Sequence, residues 1–177
     1  DEGQDYLAIV DYAHKPAAVA AVIATLRSEI KGRLCVVLGA GGDRDASKRA
    51  IMGREAARGS DLFIVTDDNS RSEDPAVIRA AVEAGAYELP TEERGEVRNI
   101  GDRAAAIRAA IAWAEPGDAV LVAGKGHETG QNVNGVIHHF DDREEVRAAL
   151  QERRTGSLCT GYFSDSEDKK ATADEGN

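Results

Sequence analysis

Short apolar runs that alternate with helix-like segments constrain this chain more than any other feature of its sequence. Continuous apolar runs occupy residues 6–10, 34–38 and 119–123, and a fourth strand-like run at residues 62–66 is apolar up to its last residue, Thr66. A run that is apolar at every position predicts a strand buried on both faces, which is typical of parallel sheets. We expect a weaker strand at residues 97–100 and a short hairpin at residues 133–140, around Asn134-Gly135.

Helix-like segments separate these runs. Pro16 opens a segment with proline at the first helical position and apolar residues at helical spacing. Asp74 followed by Pro75 predicts, by capping, a helix that runs to about Tyr87. Further helices are expected at residues 47–58, 104–114 and 142–153. Because crossovers between parallel strands are right-handed, the expected fold is α/β: a doubly wound, mostly parallel, Rossmann-like sheet with helices on both faces.

The composition narrows the classes of function. With 22 Lys+Arg against 32 Asp+Glu, the net charge is −10, which argues against nucleic acid or an anionic membrane surface as the main partner. No apolar run approaches the roughly 18 residues that a membrane span needs. Two cysteines, Cys35 and Cys159, are too few for a disulfide framework or a usual zinc site. A reducing, cytoplasmic setting without a bound metal is therefore expected.

The chain divides into a domain and a tail. Residues 1–154 are expected to form one α/β domain, and residues 155–177 an acidic, disordered tail or an extension joined at Gly156-Ser157 in cloning. The start at Asp1 without Met indicates a processed or excised piece of something longer. If the acidic tail recruited a basic partner, the chain would instead be a non-catalytic binding module.

Charged and glycine-rich loops follow the expected ends of the strands. They are residues 11–16, 39–45, 67–71 and 124–128. In open parallel sheets, ligands bind beyond the carboxyl ends of the strands, so these loops are expected to share one site. Carboxylates suit an ammonium group and an arginine suits a carboxylate. The mixture of charges in residues 67–71, with Glu128 at another strand end, therefore predicts a pocket for a small zwitterionic ligand.

Several of these residues leave alternatives open. The glycines of residues 39–42 fit a tight turn as well as a close approach to a ligand. Arg44 fits a surface ion pair with Asp43 or Asp45 as well as a fork that binds a carboxylate. His127 fits a general base, a metal ligand or a structural role. Neither GxGxxG nor GxxxxGK[ST] occurs, which argues against a free-standing dehydrogenase or phosphotransferase.

The four loops together resemble those of the C-terminal domain of the Mur ligases, and most closely the UDP-N-acetylmuramoyl-tripeptide synthetase (MurE-type) members. The resemblance covers about residues 4–152. It implies a three-domain, ATP-dependent amide ligase of peptidoglycan synthesis. ATP phosphorylates the carboxylate of UDP-MurNAc-L-Ala-D-Glu, and the amine of the incoming amino acid attacks the acyl phosphate. ATP and Mg²⁺ belong to the full-length enzyme, whose N-terminal and central domains would be partners of this piece. The piece alone is expected to be inactive and to carry no catalytic residue.

The resemblance also implies roles for individual residues. The expected amino-acid pocket consists of Arg44, Asp68, Asn69, Ser70, Arg71, Gly124 and Glu128. Asp11 and His14 would border the nucleotide, although His14 also suits a turn anchor.

Arg71 favours meso-diaminopimelate over L-lysine, because it would hold the carboxylate that lysine lacks, while Asp68 and Glu128 suit ammonium groups. An L-lysine-adding ligase remains the alternative; a D-Ala-D-Ala-adding ligase is not expected to carry the pattern of residues 68–71. Ser70 stands where the family usually has proline, which restores an N–H and frees φ. The loop is therefore expected to be looser by about 0.4–1 kcal/mol.

Overall fold

Five parallel strands form the centre of the fold. The computed structural model describes residues 2–158. The strands are β1 (Leu7–Asp11), β2 (Leu34–Leu38), β3 (Leu62–Val65), β4 (Glu96–Asn99) and β5 (Ala119–Ala123). Their order across the sheet is β1-β5-β2-β3-β4, and every pair of neighbours is parallel. The carboxyl ends of all five strands therefore lie along one edge of the sheet.

Helices cover both faces of this sheet. They are α1 (Pro16–Glu29), α2 (Ser47–Gly59), α3 (Pro75–Tyr87), α4 (Arg103–Trp113) and α5 (Asp142–Arg154), with a single 3₁₀ turn at Thr91–Glu93. Alternate strand residues face opposite sides, so β2 sends Val36 into the core under α1, α2 and α3, and Val37 into the core under α4 and α5. The predicted doubly wound α/β fold is confirmed.

Most element boundaries lie where the sequence places them. Pro16 and Pro75 begin their helices, and the Asp74 carboxylate accepts a hydrogen bond from the N–H of Ala76 at 2.9 Å. The helix predicted from residue 104 begins at Arg103 instead, because the Asp102 carboxylate caps it by accepting from the N–H of Ala105. The first strand runs to Asp11 rather than stopping one residue earlier.

A two-stranded hairpin lies outside the main sheet. β6 (Gly130–Val133) and β7 (Val136–His139) are antiparallel and are joined by Asn134-Gly135. Both turn residues have positive φ, 51° and 78°, which suits an Asn-Gly hairpin turn. The hairpin predicted around this turn is confirmed, although its first strand starts earlier, at Gly130. A parallel bridge pairs Val133 with Arg71, so the hairpin lies against the loop that follows β3.

The segment after α5 begins with an ordered turn. The N–H groups of Ser157 and Leu158 donate to the carbonyl of Glu152, and Leu158 packs against the core under α4 and α5. The rest of the predicted tail, including Cys159, lies outside the described residues. Cys35 is buried in β2, and burial raises the pKa of its thiol, as expected of a core residue. Within residues 2–158, no helix has both the length and the apolar character that a membrane crossing requires.

Candidate functional site

The loops that follow β1, β2, β3 and β5 meet at the carboxyl edge of the sheet, where a cavity of about 380 Å³ opens between them. Adjacent strands bring these loops together although they are separated in sequence. The cavity is lined by six of the seven residues expected to form the amino-acid pocket: Arg44, Asp68, Asn69, Arg71, Gly124 and Glu128. The predicted convergence of the strand-end loops is confirmed.

Ser70 does not line this cavity. Its side chain is buried, and its Oγ has no hydrogen-bond partner among the described residues. The Ser70 carbonyl accepts from the N–H of Glu73 at 3.0 Å, and a Cβ at Gly42 would overlap that carbonyl oxygen. Ser70 is thus turned into the protein because its backbone packs directly against Gly42, and the structure gives it no direct access to a ligand.

The two residues expected on the nucleotide side differ in whether they line the cavity. His14 lines the cavity, whereas Asp11 lines a neighbouring shallow groove along α1. The Asp11 carboxylate accepts from the N–H of Ala13 at 2.7 Å, so it also shapes the start of this loop. His127 is exposed and stands beside Tyr12, with 5.4 Å between ring centroids. It does not line the cavity.

The glycine-rich loop after β2 packs back to back with the loop after β3. The N–H of Gly42 donates to the carbonyl of Asn69 at 2.8 Å, and Arg71 Nη1 donates to the carbonyl of Gly42 at 2.7 Å. A Cβ at Gly39 would likewise crowd the carbonyl of Thr66. These glycines therefore permit a close approach of two backbones, whether or not a ligand also approaches them.

Two arginines line the cavity beside Gly41. Arg44 forms no ion pair with Asp43 or Asp45 within residues 2–158: Asp43 accepts from Ser72 Oγ, and Asp45 lies 3.5 Å from Lys48 Nζ. A Cβ at Gly41 would lie 2.9 Å from Arg71 Nη1 and 3.6 Å from Arg44 Cγ, so both arginines flank this glycine. Neither arginine has a carboxylate partner in the described part of the chain, which leaves both able to bind one from a ligand.

Another part of the cavity lining, the acidic end, surrounds a buried lysine. Lys125 Nζ lies 3.3 Å from Glu128 Oε2 and 3.6 Å from Asp68 Oδ1. Asn69 joins the same cluster, since its Nδ2 donates to Glu128 Oε2 at 3.1 Å. Gly124 has φ 114°, a value that favours glycine, and a Cβ there would lie 3.1 Å from Asp68 Oδ2. The cavity lining thus offers both arginines and carboxylates to a ligand.

Two buried arginines that sequence reasoning did not single out hold these loops. Arg103 Nε and Nη2 each donate to the Asp142 carboxylate at 2.7 Å, and Arg103 also reaches the carbonyls of Asp67 and Ala123, at the ends of β3 and β5. These contacts tie two of the strand ends to the start of α5. The pairing partner is 39 residues away along the chain, so no local motif signals it.

Arg49 holds the loop after β2 in place. It pairs with Glu73 through bonds of 2.8 and 2.9 Å, and its Nη2 lies 3.3 Å from the carbonyl of Gly41. Glu73 also accepts from the N–H of Asp43 at 2.6 Å. The hydrogen bonds from Arg49 and Asp43 lower the pKa of the Glu73 carboxyl. This ion pair therefore connects the loops after β2 and β3, and Arg49 itself lines the cavity.

The hairpin fixes the backbone of the loop after β3. The N–H of Arg71 donates to the carbonyl of Asn132 at 3.0 Å, and the N–H of Asn134 donates to the carbonyl of Arg71 at 2.7 Å. The N–H of Asn132 donates to Asn69 Oδ1 at 2.9 Å. Arg71 has φ 51°, an uncommon value for a residue with a side chain. The hydrogen bonds on both sides of Arg71 hold it in that conformation.

Comparisons with known proteins show the family of this chain. The family model described as "Mur ligase, glutamate ligase domain" matches residues 1–126. A UDP-N-acetylmuramoyl-L-alanyl-D-glutamate--2,6-diaminopimelate ligase of Corynebacterium glutamicum is 66% identical over 160 residues, which cover 89% of this chain and 31% of that protein. The ligase of the same name from Streptomyces avermitilis is 57% identical over 152 residues, covering 86% and 30% respectively. The chain thus spans about a third of the length of these relatives.

Solved structures share the fold. The structure of a UDP-N-acetylmuramoyl-L-alanyl-D-glutamate--2,6-diaminopimelate ligase superposes with a TM-score of 0.79 at 41% identity, covering 85% of this chain and 30% of that one. A murein peptide ligase from Psychrobacter arcticus 273-4 has a TM-score of 0.56 at 13% identity, covering 93% of this chain and 30% of that one, which supports the fold alone. From its family match, its parallel sheet and its strand-end loops, the chain belongs to the Mur ligase family, as its C-terminal, glutamate ligase domain.

Proposed function

We propose that this chain is the amino-acid-binding domain of a ligase that adds meso-diaminopimelate to UDP-MurNAc-L-Ala-D-Glu. The observation that carries the proposal is the distribution of charge in the cavity, which Arg44 and Arg71 line together with Asp68 and Glu128. Relatives at 66% and 57% identity are named 2,6-diaminopimelate ligases, which supports the same substrate.

The chemistry of the amino acid matches this distribution. Diaminopimelate has an amino and a carboxylate group at each end, whereas L-lysine has a carboxylate at one end only. Arg71 would bind the carboxylate that lysine lacks, and Asp68 and Glu128 would bind an ammonium group. Hydrogen bonds to charged groups contribute about 1.5–3 kcal/mol each, so one unmatched carboxylate is enough to discriminate between the two amino acids.

The domain would act by holding the amino acid while the acceptor carboxylate is activated elsewhere. ATP, when bound, supplies the phosphoryl group for that activation, and Mg²⁺ would accompany it. His14, which lines the cavity, and Asp11, which lines the neighbouring groove, are the residues of this chain that would face the nucleotide. The sequence has no GxxxxGK[ST] loop to hold the phosphates, so we assign them, with Mg²⁺, to the central domain of a full-length cytoplasmic enzyme. This chain alone is accordingly expected not to turn over.

A titration followed by NMR tests the proposal. Adding meso-diaminopimelate to the ¹⁵N-labelled chain should shift amides in residues 41–45, 68–71 and 124–128, at lower concentrations than L-lysine does. Equal responses, or a stronger response to L-lysine, would favour a lysine-adding ligase. If neither amino acid shifted these amides, the proposed pocket would be wrong. Deleting residues 157–177 tests the separate hypothesis that the tail recruits a basic partner, because loss of an association would support it.

A further inference from the structure

Lys125 is a buried cation behind the acidic end of the cavity. Its side chain is 0% exposed. Its Nζ lies 2.7 Å from the carbonyl oxygen of Gly130, 3.3 Å from Asn69 Oδ1 and 3.3 Å from Glu128 Oε2, with Asp68 Oδ1 at 3.6 Å. Asp68, Asn69 and Glu128 all line the cavity, whereas Lys125 does not. The ammonium group therefore contacts three pocket side chains without lining the cavity itself.

This contact, together with the N–H of Asn132, orients the amide of Asn69. Asn69 Oδ1 accepts from Lys125 Nζ and from the N–H of Asn132, while Asn69 Nδ2 donates to Glu128 Oε2. An ammonium group only donates hydrogen bonds, so it must face the oxygen of the amide. The nitrogen is consequently directed toward Glu128. Exchanging the two ends of the amide would place its NH₂ group against the ammonium of Lys125 and the N–H of Asn132.

Lys125 also sets the charge of this end of the cavity. Asp68 and Glu128 carry two carboxylates and Lys125 carries one ammonium, which leaves a net charge of −1 for the three groups. That charge complements a single ammonium group of an amino acid. Without Lys125 the two carboxylates would repel each other more strongly, and their spacing would change. A buried charge is costly unless it is paired, so the lysine and its acceptors hold one another in place.

We propose that Lys125 is a positioning residue for the ammonium-binding end of the pocket. It acts through Asp68, Asn69 and Glu128, whose spacing and orientation it fixes, and it does not touch the amino acid. The ligand in this inference rests on the proposed function, whereas the arrangement of the three side chains does not. Because diaminopimelate and L-lysine both carry ammonium groups, the loss of Lys125 should weaken both to the same degree.

Binding measurements on the 177-residue chain test this role. In Lys125→Met, we expect the Kd for meso-diaminopimelate and for L-lysine to rise by the same factor, about tenfold, because the charged contacts of one ligand group are misplaced. Lys125→Arg keeps the charge and should lose less affinity. Lys31→Met removes an exposed lysine and should bind as the wild type does. Ile111→Val, in the core under α4, is a destabilised control that should also keep its affinity.

The side-chain amide resonances of Asn69 provide a readout that does not depend on a ligand. They should shift in Lys125→Met and stay unchanged in Lys31→Met and Ile111→Val. Wild-type affinity in Lys125→Met would overturn the inference, as would a change in the ratio of the two affinities. If the wild-type chain binds neither amino acid, the proposed function fails, and unchanged Asn69 resonances in Lys125→Met would then overturn this inference separately.

Lys125→Arg tests the positioning role if Lys125→Met does not fold. A planar guanidinium differs from an ammonium in its hydrogen-bond geometry, so the Asn69 resonances should move and both ligands should bind more weakly by one common factor. Wild-type resonances together with wild-type affinities in Lys125→Arg would contradict a positioning role.

Discussion

At the scale of single residues, Ser70 shows how the conformation of one loop depends on its neighbours. In the Mur ligases that this chain resembles, proline usually restricts this position, so we expect a serine there to loosen the loop. The structure supplies a different restraint, because Arg71 is hydrogen-bonded to the hairpin through both its N–H and its carbonyl. The freedom that Ser70 gains in φ is therefore limited by contacts made at the next residue. Its hydroxyl is buried and unpartnered among the described residues.

Ser70→Pro should accordingly stabilise the fold. Ser70 has no positive φ and its N–H donates no hydrogen bond within residues 2–158, so proline removes no contact there. We expect the free energy of unfolding to rise by about 0.4–1 kcal/mol through the reduced entropy of the unfolded chain. Urea denaturation measures this change. Ser70→Ala, which removes the same hydroxyl without restricting φ, is the matched control.

A lower unfolding free energy in Ser70→Pro than in Ser70→Ala would show that this loop cannot accept the proline conformation. The affinity for meso-diaminopimelate should differ little between the two variants, because the hairpin already holds Arg71.

At the scale of elements, the β6–β7 hairpin supports the site from outside the main sheet. It bonds to Arg71 on both sides and to Asn69 Oδ1, so it orients two cavity-lining residues at once. Its own geometry depends on the Asn134-Gly135 turn, in which both residues have positive φ. A Cβ at Gly135 would meet no atom within 4 Å, so only backbone strain opposes a side chain there.

Gly135→Ala should loosen the hairpin locally. Placing a side chain in the left-handed region costs roughly 1–2 kcal/mol, which corresponds to about a five- to thirtyfold change in an opening equilibrium. We expect faster hydrogen exchange at the amides of Arg71 and Asn134 and weaker binding of meso-diaminopimelate. Asn134→Gly keeps an unstrained turn, so its hydrogen exchange and its affinity for meso-diaminopimelate should change less than those of Gly135→Ala. Unchanged exchange at Arg71 in Gly135→Ala would show that the hairpin does not restrain it.

The elements also show what sequence patterns can and cannot predict. The strands Leu34–Leu38 and Ala119–Ala123 lie where predicted because every residue in them is apolar and buried. The start of the hairpin at Gly130 was missed because Gly130, Gln131 and Asn132 show no apolar alternation. Patterns of hydrophobicity locate elements whose stability comes from core burial, and they miss those held mainly by hydrogen bonds to a distant loop.

For the site, the sequence predicts residues that line the cavity but not the buried residues behind them. The loops at strand ends placed Arg44, Asp68 and Glu128 in one region, and the structure brings them to one cavity. The sequence could not show that Lys125 is buried behind them, since lysines are rarely buried unless paired. Nor could it reveal the pairing of Arg103 with Asp142, because that contact depends on the arrangement of two helices far apart in the sequence.

At the scale of the whole molecule, the Arg103–Asp142 pair joins the site to the fold. Both side chains are fully buried, and Arg103 also donates to the carbonyls at the ends of β3 and β5. The strand ends that carry the pocket loops are thus connected to the start of α5 through one guanidinium. Because this pair has no exposure to water, each partner depends on the other for its stability in the core.

Asp142→Asn should destabilise the domain by about 3–5 kcal/mol, since it leaves the charge of Arg103 buried without compensation. Urea denaturation at neutral pH measures the loss. Glu144→Gln, which removes a carboxylate from an exposed pair with His139, should change stability by less than about 1 kcal/mol. The double variant Arg103→Met/Asp142→Leu should recover much of the lost stability. A small effect of Asp142→Asn would mean that the pair is less isolated from water than its burial indicates.

The selectivity of the pocket for a second carboxylate tests the account most directly. The measurement is the ratio of the Kd for L-lysine to the Kd for meso-diaminopimelate, in the wild-type chain and in Arg71→Met. We expect a ratio of about ten or more in the wild type, from one charge-assisted contact, and a ratio near one in Arg71→Met with L-lysine binding little changed. Arg147→Met, which removes an exposed arginine paired with Glu2, should keep the wild-type ratio. A preference for meso-diaminopimelate that survives in Arg71→Met, or that is absent from the wild type, would contradict the account.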